Sequence, residues 1–324
     1  MLVSVLLFAV GLVLLIKGGD WFVDGAVGIA KRFNLPDIVV GATVVSIGTT
    51  LPEVMVSTTG ALAGSGAMAY GNAIGSIICN TALIAAISIT CNPGPVNVKS
   101  MKTPVIFFFC SAAMYCLAAY LLGTFPRWLG FVMLTVFVIY MVMTVRNGMK
   151  NPDAASEEEE EGGKPKKLWQ ELLLLVVGAA VIAVGADLLV DHGQVIAIGL
   201  GVPETVVALL FVALGTSLPE LVTTITSLKK GRASLGVGNV IGANIFNLVL
   251  VSGVAVSLAP FDVPAENLLL NTGLNLSLVF DIPVMLGVMA LMTLPALASK
   301  KLGRWQGITL LCIYAAFCVC QFVL

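Results

Sequence analysis

Charge is what this chain has least of: Asp, Glu, Lys and Arg together make up 11% of 324 residues, and there is a single histidine, His192. So little charge cannot cover a soluble globule. With 58% hydrophobic residues and a mean hydropathy of +1.03, the chain reads as a polytopic all-α membrane protein. One histidine leaves no nucleophile with a nearby base, so an enzyme is not expected. The seven cysteines contain no Cys-x-x-Cys pair, which argues against a disulfide framework or a zinc site and for helix packing. The formal net charge is −1, and no nucleic-acid partner is expected. The first apolar stretch, Leu2 to Ile16, lacks a basic start and a small-residue cleavage site, so it reads as a retained span.

What is present is a repeat. GTTLPE ending at Glu53 returns as GTSLPE ending at Glu220, and GNAIGSIICN returns as GNVIGANIFN. One offset of 167 residues carries Asp20 to Asp187, Asp24 to Asp191, Pro36 to Pro203, Glu53 to Glu220, Asn72 to Asn239 and Asn80 to Asn247 without a gap. A carboxylate in mid-membrane costs about 2.5 to 3.5 kcal/mol on insertion scales. Two in register imply a site, and paired halves with Gly/Pro-interrupted apolar segments point to a transporter.

Apolar runs long enough to span occur near 1 to 18, 37 to 63, 71 to 91, 103 to 123, 127 to 146, 168 to 186, 203 to 228, 234 to 258, 281 to 298 and 305 to 323, ten in all. Basic residues gather in alternate loops, at Lys31/Arg32, Lys99/Lys102, Arg146 to Lys167, Lys229/Lys230/Arg232 and Lys300/Lys301/Arg304, with only Arg127 in the others. The positive-inside rule then places both termini outside the cytoplasm. The expected organisation is a five-helix repeat at 1–147, a charged cytoplasmic linker at 148–167 and a second five-helix repeat at 168–324. Five spans is an odd number, so the second repeat must be inverted relative to the first. The five glutamates of the linker read as a solvated tether.

On a helix, Ser46, Thr49, Thr50 and Glu53 share one stripe, as do Ala213, Thr216, Ser217 and Glu220. Pro52 and Pro219 free carbonyls near Gly48 and Gly215, which at membrane depth must line a polar cavity or bind a cation. Carboxylate, hydroxyl and carbonyl oxygens are hard ligands suited to Na⁺, Ca²⁺ or Mg²⁺. Asn72, Ser76 and Asn80, matched by Asn239, Ala243 and Asn247, present a second face, with Gly71/Gly75 and Gly238/Gly242 as close-packing positions. Asp20, Asp24, Asp187 and Asp191 read as interfacial or capping groups, and Asp281, followed by Ile282 and Pro283, as an N-cap.

The paired GTxLPE and GNxxGxxxxN motifs resemble those of the cation/Ca²⁺ exchanger superfamily, most closely the short prokaryotic sodium/calcium exchangers. GDWFVDG at 19 to 25 and GRWQG at 303 to 307 extend the likeness over nearly the whole chain. The resemblance implies ten helices in two inverted-topology five-helix repeats, with ion sites between the second, third, seventh and eighth. It implies Glu53 and Glu220 as central Ca²⁺ ligands, aided by the carbonyls of Thr49 and Thr216. It further implies Na⁺ coordination by Ser46, Thr50, Ser76, Asn80, Ala213, Thr216, Ser217, Asn247 and the same two glutamates. The archaeal pattern has Ser and Asp where this chain has Ala243 and Asn247. The implied function is Na⁺/Ca²⁺ antiport by alternating access in a prokaryotic plasma (inner) membrane, by a monomer, with no cofactor. The alternative is an H⁺/Ca²⁺ or other divalent exchanger, since a desolvated carboxylate pair can take up protons; proton-coupled relatives, however, place the essential Glu after a Gly-Asn dipeptide. A passive channel would not need two inverted copies around a midplane site.

Overall fold

The computed structural model describes residues 2–150, 167–199, 215–264 and 275–323. In chain order the helices are α1 (Leu2–Phe33), α2 (Asp37–Thr49), α3 (Leu51–Leu62), α4 (Gly66–Cys91), α5 (Val98–Leu122) and α6 (Arg127–Met149). Then come α7 (Leu168–Gly199), α8 (Leu218–Lys229), α9 (Ala233–Leu258), α10 (Ser277–Ser299) and α11 (Arg304–Val323). Among the described residues, seven helices are long and apolar enough to cross a bilayer, and eight if α2 and α3, bent by 46°, form one broken span. The span expected at 203 to 228 is described only from Gly215 onward, so Pro203 and Ala213 lie outside the described residues.

The first helix is longer than hydropathy suggests. At 32 residues it measures about 48 Å, against a hydrocarbon thickness of about 30 Å. It runs straight through Asp20 and Asp24, which therefore do not cap a helix end. Their partner is Lys230, whose Nζ lies 2.7 Å from Asp24 Oδ1 and 3.7 Å from Asp20 Oδ1. On the same face of the protein Arg32 Nε meets Glu171 Oε2 at 2.9 Å and Arg232 Nη1 meets Asp37 Oδ2 at 3.3 Å. This is the face where α6 ends and α7 begins, here termed the linker face.

The two first helices of the repeats, α1 and α7, pack glycine against backbone. A Cβ added to Gly18 would lie 3.0 Å from Gly178 O and one on Gly178 only 2.5 Å from Phe22 N, while Cβ atoms added to Gly11 and Gly185 would lie 2.9 and 3.0 Å from each other's carbonyl oxygens. Residue numbers rise along α1 as they fall along α7, so the helices are antiparallel. Because Gly18 corresponds to Gly185 and Gly11 to Gly178, exchanging the halves reproduces the same contacts. The miniature strands repeat this relation. Gly94–Pro95 pairs with Lys301–Leu302 on the linker face, and Phe261–Asp262, one offset after Gly94–Pro95, pairs with Thr124–Phe125 on the opposite face.

Inside this frame α4 and α9 are central, with 72% and 83% of their most apolar windows buried, against 28% and 22% for α1 and α7. The expected glycine packing holds for α9: a Cβ on Gly238 would strike the Ile38 carbonyl, and one on Gly242 would strike Ser46 Oγ and the Ala42 backbone. Gly71 and Gly75 meet no such atom among the described residues. The expectation for Asp281 is overturned. It closes a π-helical turn, Ser277–Asp281, with helical φ −65° and ψ −48° and no cap bond. Its carboxylate instead accepts from Ser277 Oγ at 3.0 Å and from Gln321 Nε2 at 2.7 Å, because the helix starts earlier than the apolar run.

Candidate cation site

The site begins at two equivalent breaks. Pro52 and Pro219 each occupy the first turn of their helix, and the residues before those helices, Thr50 (φ −85°, ψ −1°) and Ser217 (φ −90°, ψ 4°), adopt nearly the same sparsely populated conformation. That places Glu53 and Glu220 in the first turns of α3 and α8, where exposed N–H groups favour a negative charge. Two further equivalent breaks follow. A π-helical turn starts at Asn80 in α4 and another at Asn247 in α9, and such turns are frequent at functional sites.

Ser46, Thr49, Thr50, Glu53, Ser76, Asn80, Ser217, Glu220 and Asn247 are all at most 3% exposed, and Thr216 is half-buried. Hydrogen bonds knit the halves together around them. Thr49 Oγ1 donates to Asn239 Oδ1 at 3.1 Å, and its counterpart Thr216 Oγ1 donates to Asn72 Oδ1 at 3.4 Å. Ser46 Oγ donates to Gly41 O at 2.8 Å and lies 3.0 Å from Asn239 O. Thr50 Oγ1 reaches Glu220 Oε1 at 3.5 Å. Asn72 Nδ2 also donates to Ser57 Oγ at 2.8 Å and to Glu53 O at 3.3 Å, steadying α3. The Ser46 carbonyl accepts from the Thr50 N–H at 3.0 Å, which leaves it one lone pair for another partner.

What the site does not satisfy is equally informative. Both carboxylate oxygens of Glu53, Oε2 of Glu220, Ser217 Oγ and both amide atoms of Asn80 and of Asn247 are buried with no hydrogen-bond partner among the described residues. By contrast, the Asn244 amide in the same helix is used for packing, donating to Thr81 Oγ1 at 2.7 Å. Among the described residues every Lys or Arg ion pair lies at the linker face, so no basic group offsets the two glutamates. Buried carboxylates in that situation are costly unless something cationic joins them. The oxygen-only donor set fits a hard cation. No group of three or more His, Cys, Asp or Glu that could hold a metal occurs among the described residues.

Asn72 and Asn239 were legible in the sequence only as a second polar face. The structure makes them the bridges between halves, and the signal for that role was their strict pairing at the repeat offset.

Antiparallel equivalent helices, two helices that each carry a carboxylate in a proline-containing first turn, and a membrane-buried oxygen cluster between them define a multi-pass membrane cation transporter. The family model for the sodium/calcium exchanger protein matches residues 3–146 and 171–323, and the chain belongs to that family. It is 31% identical to the sodium/calcium exchanger MaX1 of Methanosarcina acetivorans, over 99% of both chains. It is 32% identical to the inner membrane protein YrbG of Escherichia coli, over 81% of this chain and 82% of that one. Among solved structures it is similar to the sodium-calcium exchanger NCX_Mj soaked with zero Na⁺ and Ca²⁺, with a TM-score of 0.79, 30% identity and 97% of each chain covered.

Proposed function

We propose that this protein is a secondary active antiporter that exchanges Na⁺ for Ca²⁺ by alternating access. The observation that carries the reading is the buried carboxylate pair, Glu53 and Glu220, with three of its four oxygens unpartnered and no basic residue at hand. In this reading Glu53 and Glu220, with the carbonyls of Thr49 and Thr216, hold Ca²⁺. The Na⁺ ions take the two glutamates with Ser46, Thr50, Ser76, Asn80, Ala213, Thr216, Ser217 and Asn247. The chain forms ten spans in two inverted five-helix repeats, 1–147 and 168–324, joined by the linker at 148–167, and it works as a monomer. The excess of Lys and Arg on the linker face supports a cytoplasmic placement of that face, with both termini outside. Similarity to an inner membrane protein supports a prokaryotic plasma membrane.

The test is radiolabelled Ca²⁺ flux in reconstituted vesicles. An imposed Na⁺ gradient at clamped pH should drive Ca²⁺ against its own gradient. Flux that follows a pH gradient at equal Na⁺ would instead identify proton coupling, and flux with no counter-ion requirement would identify a passive pathway.

A further inference from the structure

Beyond the carboxylate pair, α8 carries a second row of oxygens. Glu220, Thr223, Thr224 and Ser227 fall at i, i+3, i+4 and i+7 and so share one stripe of the helix. Thr223, Thr224 and Ser227 are 0%, 2% and 0% exposed, and none of their hydroxyls has a hydrogen-bond partner among the described residues. Elsewhere among the described residues the helical threonines Thr43, Thr59, Thr90, Thr135 and Thr293 donate to the carbonyl four residues back at 2.6 to 2.8 Å, whereas Thr58 and Thr144 stand singly without a partner; the α8 row is set apart by three such hydroxyls on one stripe. A buried hydroxyl that leaves that ready bond unmade keeps its oxygen open to another partner.

The stripe has a direction. It starts at Glu220 and ends near the linker face, where the Arg232 N–H donates to the Ser227 carbonyl at 2.8 Å. There a cavity of about 820 Å³ opens, lined among others by Ser88, Asn92, Asn97 and Ser234. Helix α8 packs against both helices that frame this cavity, the second half of α4 and α9. The first half has no equivalent row: the matching positions are Val56, Ser57 and Gly60, and the Ser57 hydroxyl is already taken by Asn72. The row therefore breaks the symmetry of the repeats.

We propose that Thr223, Thr224 and Ser227 form the route by which a partly hydrated Na⁺ or Ca²⁺ passes between the linker-face cavity and Glu220. Seven residues of helix span roughly 10 Å, enough for hard hydroxyl oxygens to replace the waters of the ion's shell in steps. The proposal rests on the cation-exchange reading above.

The test compares two triple variants of the full chain in vesicles of defined orientation. Thr223→Val with Thr224→Val and Ser227→Ala removes the hydroxyls at nearly constant shape, and Thr223→Ser with Thr224→Ser and Ser227→Thr keeps them. The apolar triple should raise the half-saturating Ca²⁺ concentration at the linker face roughly tenfold, and at the opposite face by less than about twofold, in line with lost hydrogen bonds to a charged group. The hydroxyl-retaining triple should behave like the unsubstituted chain at both faces. Equal shifts at both faces, or no shift at either, would overturn the route. If the unsubstituted chain shows no Na⁺-dependent Ca²⁺ flux at all, the exchange reading fails and the route fails with it, a result distinct from a selective loss at one face.

Discussion

Thr49 donates its hydroxyl to Asn239 Oδ1 at 3.1 Å, joining the first broken helix of one repeat to the following helix of the other. The equivalent bond, Thr216 to Asn72, is 3.4 Å, so the two halves hold each other by the same device twice. The pairs are not equal in load. Asn72 also donates through Nδ2 to Ser57 and the Glu53 carbonyl, whereas Asn239 Oδ1 additionally accepts from Ser46 Oγ at 3.3 Å but its Nδ2 has no partner among the described residues. Asn239→Ala should therefore weaken ion binding by about 1 kcal/mol, roughly fivefold in half-saturating Na⁺. Asn72→Ala should cost more and also lower the maximal rate, because α3 is no longer steadied. Na⁺ titrations of flux for the two variants check the ranking, and equal effects would show that Asn72 does no more than its mate.

Glu53→Gln and Glu220→Gln should each abolish Na⁺-driven Ca²⁺ transport while leaving folded protein in the membrane, since the amide keeps the shape and removes the charge. Asp20→Asn should be mild: its carboxylate is part of a partly exposed ion pair at 3.7 Å, of a kind that contributes about 0 to 1 kcal/mol. Flux and size-exclusion profiles of the three variants decide it. Wild-type rates in either Gln variant would remove that carboxylate from the site.

Much of this arrangement was readable in the sequence because a duplication turns weak signals into strong ones. Glu53 and Glu220 alone are two acids in apolar runs, but in register they mark a site, and the GTxLPE prolines anticipate the 46° bend between α2 and α3. The misses have local causes. Hydropathy ends a span where polar residues begin, so it stopped α1 near residue 18, although Asp20 and Asp24 continue the helix as partners of Lys230. The same blindness made Asp281 look like a cap: an apolar run starts beside it, but α10 begins at Ser277, and the π-helical turn that contains Asp281 has no sequence signature of its own. Side-chain partners across the halves, such as Thr49 with Asn239, depend on tertiary geometry that periodicity along one helix does not encode.

The glycine seam between α1 and α7 gives a stability prediction. A Cβ on Gly178 would lie 2.5 Å from Phe22 N and 2.8 Å from Phe22 Cα, and backbone cannot yield as a flexible side chain can. Gly178→Val should lower the midpoint of thermal unfolding in detergent, with a cost on the order of 1 to 3 kcal/mol typical of overpacking. Gly64→Ala is a poor comparison because Gly64 has φ +84°, so Gly287→Ala, which meets nothing within 4 Å, is the control. An unchanged midpoint for Gly178→Val would mean that the two helices separate easily.

The repeats differ where Ser76 has Ala243 as its counterpart at the repeat offset, both buried. A hydroxyl missing from a desolvated cation costs about 1 to 3 kcal/mol. Ala243→Ser should therefore lower the Na⁺ concentration for half-maximal exchange with little change in Ca²⁺ affinity, and Ser76→Ala should raise it. The two effects should be strongest from opposite faces of oriented vesicles if the repeats are inverted as proposed, in keeping with the antiparallel packing of the equivalent helices α1 and α7. Unchanged Na⁺ dependence in both variants would assign these positions to helix packing alone.

In the proposed site, Asn247 stands where an acid would raise the charge the site can carry. With no third acid joining Glu53 and Glu220 in a metal-holding group among the described residues, the pair supplies at most two negative charges. One Ca²⁺ cancels them, and so do two Na⁺. A third Na⁺ would leave an unpaired positive charge in a desolvated site, at an effective penalty of several kcal/mol. The expected Hill coefficient for Na⁺ is therefore about two, with flux nearly insensitive to an imposed membrane potential, because the exchange moves no net charge. Asn247→Asp should add the missing carboxylate, raise the Hill coefficient toward about three and make flux depend on potential, since three Na⁺ would then neutralise the site. Asn247→Ala, which changes the contacts but not the charge, should reduce affinity and leave both properties as they were. A Hill coefficient near three and potential-dependent flux in the unsubstituted chain would mean that the charge balance is set by a group other than these two glutamates.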